Sequence, residues 1–479
     1  PLESLIAGIA LLSLLRIVQG AVLPLSFDEA YYWLWSRHLA AGYFDHPPAI
    51  ALVIRAGTLL FGNSVIAIRA VPLALSLAAS WAVWRSAHLL LGSTIAAAQA
   101  CLYFNLTLMV AVETMAATPD APALAAAALV VLTLAELQDR GDGRWWLAVG
   151  LAGGLCLLSK YTGVFLAAGT GLWCIASPRG RVWLATPWPY LGVLVALACF
   201  APVIAWNAQH DWISFRFQAG RVTNGGFTLR YIGEFIAAQA ALASPFLLVL
   251  GAAGFVRATQ RPAGALALAA ALIWPAALYF AVHSTHDRVQ GNWPSFLFPA
   301  FAILAASGAR ETWRGMAPVM NAVRRAAVPV AVLILAIVSL QAFFGLVKAR
   351  DPIARLTGFG FPVIAEQVGT LARAQDAPAI VTGSYATTAW LAYYGHLPVM
   401  QINEPFRWLS APVADPHLFR GTLLFVTLHA QKTLPEIEAQ FSAVRFLARL
   451  ERTRSGVFIE SYDVYRVSGW RGTKLPRAP

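Results

Sequence analysis

Val328-Pro-Val-Ala-Val-Leu-Ile-Leu-Ala-Ile-Val-Ser-Leu-Gln-Ala-Phe-Phe-Gly-Leu346 runs without a charge, with Arg324 and Arg325 on one flank and Lys348 on the other. A helix needs about twenty such residues to cross a hydrocarbon core of about 30 Å, so the stretch predicts a membrane span. Beyond Lys348 the texture changes. Apolar runs shorten to strand length, as in Ala379–Thr382 and Leu423–Leu428, and Gly, Pro and charged residues return. Amphipathic stretches at Pro362–Ala374 and Leu434–Phe441 have helical spacing. Residues 348–479 therefore predict a small α/β domain.

Towards the N-terminus the same kind of apolar run recurs. Roughly eleven spans are predicted, near 3–25, 64–84, 93–112, 119–138, 145–159, 161–177, 184–206, 233–256, 263–283, 294–308 and 328–346. Residues 1–347 thus read as an all-α polytopic membrane domain. The two members around Lys160 are short, and a single broken hairpin is the other reading there. Composition agrees: of 479 residues 58% are hydrophobic and 12% charged, against about 25% charged in soluble domains. The first run has no small-residue cleavage site, so it is expected as a retained first helix.

The formal charge of +12 does not point to nucleic acid. The basic residues sit in short loops between apolar runs, where topology and anionic lipid account for them. Arg85; Arg140 and Arg144; Arg179 and Arg181; Arg257 and Arg261; and Arg310, Arg314, Arg324 and Arg325 all fall in alternate loops. The positive-inside rule makes that side cytoplasmic. The N-terminus is then expected inside, and everything after about residue 347 outside the inner membrane. Cys101, Cys156, Cys174 and Cys199 lie in apolar segments without metal-ligand spacing and read as buried small side chains.

The opposite loops are 26–63, 113–118, 207–232 and 284–293, and three of them hold most of the unusual polar residues of the membrane half. The first reads Ser26-Phe27-Asp28-Glu29-Ala30-Tyr31-Tyr32-Trp33-Leu34-Trp35, then Gly42-Tyr43-Phe44-Asp45-His46-Pro47-Pro48. Adjacent carboxylates just past a membrane helix are costly unless exposed, paired or used. Ser26 or Asp28 is also placed to cap the next helix, whose aromatics suit the membrane interface. Thr118-Pro119-Asp120-Ala121-Pro122 puts a second acid at the mouth of a span, where it also complements a helix dipole. Glu113, just upstream, is a weaker candidate. Arg216, Arg221 and Arg230 in the third loop break the charge bias, and arginine suits phosphate; lipid headgroups or a local acid are the plainer partners. Lys160 in its turn is similar. The fourth loop, His283-Ser-Thr-His286-Asp287-Arg288-Val-Gln-Gly-Asn292-Trp293-Pro294, gathers His, Arg and Asn at a boundary. His283 and His286, three apart, would share a helical face with a metal.

Asp28-Glu29-Ala-Tyr-Tyr-Trp, Tyr-Phe-Asp-His-Pro-Pro and Thr-Pro-Asp120-Ala-Pro together resemble the GT-C glycosyltransferases of the protein-O-mannosyltransferase superfamily. The bacterial branch that includes the aminoarabinose and galacturonic acid transferases of lipid A is the most similar in flavour. Asn292-Trp-Pro, Val381-Thr-Gly-Ser-Tyr385 and Asn403-Glu-Pro405 also look like that branch. The resemblance implies a polyprenyl-phosphate sugar donor, a lipid or glycan acceptor and a catalytic acid in the first external loop. That role falls on Asp28, with Asp120 as the second acid and Glu29 beside them. His46, Lys160, Arg216, Arg221 and Arg230 are the pool for the donor phosphate. Tyr31, His286, Arg288 and Asn292 are further substrate contacts. Asp28 would take the acceptor's proton, or orient it, in one inverting displacement. The pattern departs from the aminoarabinose transferases, which have an Arg after the Asp-Glu and a Lys before the Pro-Pro; Tyr31 and His46 stand there, so phosphate recognition differs in detail. A divalent metal stays open: Asp28, Glu29 and Asp120 would hold one if the fold gathered them, and basic residues alone would serve as well.

The rivals are a transporter or lipid flippase, another external enzyme such as a protein O-glycosyltransferase or a phosphotransferase, and an inactive assembly subunit. Transporters keep charges near the midplane of repeated halves; here the acids sit at one face and no repeat is visible.

Overall fold

The computed structural model describes residues 2–223, 226–312, 315–348, 350–431 and 434–479. Arg314, counted above among the loop cations, lies outside the described residues. By internal contacts the chain divides into two compact units. One contains Pro1–Ala21, His46–Val53 and Arg69–Val338, and the other Val22–Asp45, Ile54–Ile68 and Ser339–Pro479.

The first unit is helical. Each of the eleven predicted apolar segments contains a helix. Among the described residues five are long and apolar enough to cross a membrane: Leu2–Val22, Val65–Leu91, Asp120–Arg140, Trp188–Gln209 and Ala317–Phe344. The segment predicted at 233–256 is not straight. Arg230–Ala243 and Pro245–Thr259 meet at 102°, because Ser244 takes a left-handed φ of 71° and Pro245 has no N–H to continue the ladder. Counted as one span, this pair makes six. The remaining apolar helices are shorter.

Asp120–Arg140 is buried along nearly its whole length, and alanine explains why. Small side chains let neighbouring backbones approach where no hydrophobic force separates helix from lipid. Glycine does the same at two tight crossings: a Cβ at Gly254 would strike the Leu304 carbonyl, and one at Gly150 the Gly192 carbonyl. At one end of the unit, Glu136 joins Arg85 (2.8 Å) and Arg140 (2.7 Å), and Glu311 receives Arg261 at 3.2 Å. Cations from several of the alternate loops thus end on acids, Arg85 and Arg140 sharing one.

Lys160 lies between two short helices, as the pattern around it foretold. Trp145–Ser159 stops, Lys160 is extended (φ −154°, ψ 137°), and Tyr161–Gly163 makes a 3-10 turn into Val164–Ala176.

The second unit contains a five-stranded mixed sheet: β1 (Ile380–Thr382), β2 (Val399–Gln401), β3 (Thr422–Leu428), β4 (Phe441–Arg454) and β5 (Val457–Trp470). The order is β2-β1-β3-β5-β4, with β1 parallel to β2 and β3, and β5 antiparallel to β3 and β4. Helix Phe361–Ala374 has the predicted place, as does Leu434–Gln440. The β4–β5 hairpin is an addition to the sequence reading; Ser455 and Gly456, both at positive φ (50° and 78°), make the tight turn that matches strand twist. A helical membrane part followed by a mixed-sheet part is therefore present, as expected.

The first-loop helix Phe27–Arg37 belongs to this unit. Leu25 accepts from Gly358 N (2.8 Å) and Trp390 Nε1 (3.3 Å), and the Phe27 ring meets Tyr385 and Trp390 edge-on at 5.9 and 5.8 Å.

Candidate functional site

Each unit gathers candidate chemistry-bearing side chains among its described residues. In the helical unit the break at Lys160 frees its side chain from a helix face and turns it to Asp120. Lys160 Nζ lies 2.7 Å from Asp120 Oδ1, with the two side chains 7% and 4% exposed. Ser295 Oγ donates to the same oxygen (2.5 Å) and Asn292 Nδ2 to the other (3.0 Å). Asp120 opens its helix after Pro119, as predicted, yet its carboxylate is occupied by three donors rather than left to the dipole.

Lys160 also lines a cavity of about 160 Å³ with His46, Tyr161, Thr162, Phe165, Gln218, Arg221, Tyr279, Phe280 and Trp293. A water occupies about 30 Å³ in the liquid, so the space suits a headgroup such as phosphate rather than a whole glycolipid. Its walls are cationic and aromatic. The Arg221 guanidinium stands 4.4 Å from the Phe217 ring and 5.9 Å from Trp293, and no carboxylate pairs with it among the described residues. Thr162 Oγ1 is buried there without a hydrogen-bond partner. His46 is held neutral: burial pushes its pKa well below 6.5, and nearby Lys160 and Arg221 add to the effect. It offers a hydrogen bond to an anion rather than a full charge.

Of the predicted phosphate pool, the cavity thus gathers His46, Lys160 and Arg221. Arg216 is exposed and does not line it. Arg230 and Arg288 meet Glu234 instead, at 3.1 and 2.8 Å. His286 packs on His283 with ring centroids 5.0 Å apart. No third metal-binding side chain joins that pair, and no group of three His, Cys, Asp or Glu is assembled for a metal ion anywhere among the described residues.

The second cluster surrounds Asp28. Ser26 caps helix Phe27–Arg37, and the Glu29 carboxylate returns to the Ser26 N–H at 2.9 Å, closing a capping box. That leaves Glu29 with a structural task and Asp28, one residue earlier, on another side of the turn. Asp28 Oδ1 accepts from the Tyr385 hydroxyl at 3.2 Å. Tyr31 donates to Asp45 Oδ2 at 2.7 Å, which places it beside Asp28 in this cluster. Arg407 Nη1 reaches both Asp45 oxygens, at 2.9 and 3.0 Å, and its Nε reaches Glu404 at 2.9 Å. Burial pushes the Asp28 pKa up to about 7; Tyr385 and Arg407 pull it down, while Asp45 and Glu29 push it up. A carboxyl poised there exchanges protons near neutral pH, which a general base requires.

Sequence reasoning missed Tyr385 and Arg407 as site residues, along with Asp45, Thr162, Gln218 and Ser295. Tyr385 and Glu404 stood inside stretches already singled out, and Arg407 lies two residues beyond Pro405. Nothing local tied them to Asp28.

Comparison with known proteins finds a family model that matches part of the chain. Residues 45–206 match the family described as dolichyl-phosphate-mannose-protein mannosyltransferase. The likeness to that family covers about a third of the chain. The chain is 29% identical over 287 residues to lipid A galacturonosyltransferase RgtD of Rhizobium johnstonii, covering 58% of this chain and 59% of the relative. The match thus spans less than two thirds of that relative's length. The fold of the present chain is similar to that of ArnT from Cupriavidus metallidurans bound to undecaprenyl phosphate, with a TM-score of 0.64, 17% identity, and coverage of 96% of this chain and 98% of the other. The Archaeoglobus fulgidus oligosaccharyltransferase also aligns, with a TM-score of 0.53, 12% identity, and coverage of 95% and 74%.

Proposed function

We propose that the protein is an integral-membrane glycosyltransferase that moves a sugar from a polyprenyl-phosphate donor to a lipid A or lipopolysaccharide-like acceptor. The observation that carries this reading is the cavity at Lys160, where one arginine with no carboxylate partner among the described residues, one lysine and one buried threonine hydroxyl surround a space of headgroup size. A sugar phosphate is already activated, and cations that neutralise its phosphate make it a leaving group. The name of the Rhizobium relative supports a lipid A acceptor and a uronic acid donor, and the ArnT complex supports a polyprenyl phosphate.

Asp28 takes the acceptor's proton as the acceptor oxygen attacks the anomeric carbon, and the phosphate departs from the opposite face with the bonding pair. The product is inverted. Lys160 and Arg221 hold the phosphate while Asp120 fixes Lys160. In this reading the eleven apolar segments all cross the inner membrane, the N-terminus is cytoplasmic, residues 1–347 form the catalytic membrane domain, and residues 348–479 form an external domain.

The test is a transfer assay in liposomes with a panel of polyprenyl-phosphate sugars, comparing wild type with Asp28→Asn. Turnover of one donor by wild type and none by a folded Asp28→Asn is the expected result. No donor consumed, or equal activity in the variant, overturns the assignment and makes transport the next hypothesis.

A further inference from the structure

Two of the groups around Asp28 come from the C-terminal part of the chain, from elements that flank the mixed sheet. Tyr385 opens helix Tyr385–Tyr394, and its hydroxyl donates to Asp28 Oδ1 at 3.2 Å. Arg407 lies on the 3-10 turn Pro405–Trp408. Its guanidinium stands 4.7 Å above the Tyr385 ring and 5.3 Å from Phe44, while its nitrogens bind Asp45 and Glu404. Tyr31 braces the other side: its ring centroid is 5.0 Å from Tyr385 and 5.0 Å from Trp408, and its hydroxyl is spent on Asp45. The Tyr385 ring is therefore wedged between a cation and an aromatic pair, and its hydroxyl has one orientation to offer.

Of the charged neighbours of Asp28, Asp45 and Glu29 push its pKa up and Arg407 pulls it down, and the Arg407 guanidinium is already committed to Asp45 and Glu404. Tyr31, Tyr32 and Tyr385 stay neutral, because burial pushes each hydroxyl pKa upward. What stabilises an ionised Asp28 at short range is then one hydrogen bond from Tyr385, with Arg407 acting at longer range.

We propose that Tyr385 is a positioning residue for the transfer reaction, its hydroxyl keeping Asp28 ionised and fixed through Oδ1 so that Oδ2 meets the acceptor, with Arg407 holding the Tyr385 ring in place. This rests on Asp28 being the base. The C-terminal region then completes the active centre instead of being an appendage to it. The step balances as follows: the acceptor O–H proton passes to Asp28 Oδ2, the acceptor oxygen bonds to the anomeric carbon, and the bond from that carbon to the phosphate oxygen breaks with its electron pair on the phosphate.

The experiment is the pH profile of turnover, between about pH 5.5 and 9, for the full chain in detergent with a polyprenyl-phosphate sugar. The variants are Tyr385→Phe, Arg407→Gln and Asp28→Asn. Losing the hydrogen bond to the charged form moves the acid limb of Tyr385→Phe upward by about one pH unit, which is about a tenfold loss of rate well below the limb and near-full recovery above it. The donor KM stays within about twofold. Arg407→Gln removes the cation with Tyr385 still present and moves the limb the same way. A role confined to packing would instead lower the rate by the same factor at every pH. An unmoved acid limb in either variant that folds, judged by size exclusion and melting, overturns the proposal. Asp28→Asn separates the two claims: if it is active, the reading of Asp28 as base fails; if it is inactive while the limbs of the other variants stay put, only the role of Tyr385 fails.

Discussion

Asp120 and Lys160 lend themselves to a double-mutant cycle with a worked magnitude. The ion pair is 2.7 Å long and almost closed to solvent. Asp120→Asn keeps the shape, and the new side chain still accepts from Ser295 or Asn292, but Lys160 is left as an uncompensated charge in a dry site. Breaking a buried pair from one side costs about 3–5 kcal/mol. Lys160→Met costs somewhat less, on the order of 2–4 kcal/mol, because Ser295 Oγ and Asn292 Nδ2 continue to solvate the carboxylate. Removing both partners deletes the charges together, and well-packed apolar replacements for buried pairs are often close to neutral. The double variant is therefore expected to lie at least about 2 kcal/mol above the sum of the singles. The assay is reversible unfolding in mixed micelles titrated with a denaturing detergent, all four proteins side by side. Donor binding distinguishes structure from function: the double variant regains stability without regaining affinity, since Lys160 is gone from the cavity. A coupling energy within about 0.5 kcal/mol of zero would refute the view that Asp120 exists to hold Lys160.

Two further outcomes follow from the same geometry. Asp28→Asn is expected to stabilise the protein at pH 8: a carboxyl at about 7 when folded against about 3.9 when unfolded costs up to ~4 kcal/mol, which the residual opening of Asp28 to solvent reduces to about 1–2 kcal/mol. Because the folded state holds its proton longer, the gain shrinks as pH falls from about 7 to 4, and a melting series that shows no such trend contradicts the burial argument. Arg221→Gln is expected to raise the donor KM about tenfold or more, the worth of one charge-assisted hydrogen bond, whereas Arg216→Gln changes it by less than about twofold; equal effects of the two would mean that the cavity is not the phosphate site.

The apolar runs, the change of texture near Lys348 and the break at Lys160 were all legible in the sequence, because each is a property of consecutive residues. The aromatic and acidic first loop stood out as a candidate for the same reason. What was not legible depends on distance along the chain. Tyr385 meets Asp28 across 357 residues, and Arg407 meets Asp45 across 362; no spacing rule reaches so far. The bend at Ser244 was hidden because Pro245 alone is also a good first residue of a helix. Among the arginines of the third and fourth loops, charge counting had no means of separating Arg221, which the fold places over Trp293, from Arg230 and Arg288, which the same fold gives to Glu234.

The two aspartates carry this point furthest. In sequence Asp28 and Asp120 look alike: each stands near a helix start at a membrane boundary, with small or aromatic neighbours. Their surroundings divide them. Asp120 receives an ammonium, a hydroxyl and an amide at 2.5–3.0 Å, so its charge is matched and its oxygens are engaged. Such a group organises its neighbours and takes up no proton from a substrate without first losing a partner. Asp28 receives one phenolic hydroxyl at 3.2 Å, among acids that outnumber the nearby cation. Its charge is only partly met, which costs stability and leaves a basic oxygen. Environment assigns different roles to identical carboxyls elsewhere in enzymology, and here it ties Asp120 to Lys160 and leaves Asp28 with capacity to accept a proton, which is what the proposed roles require.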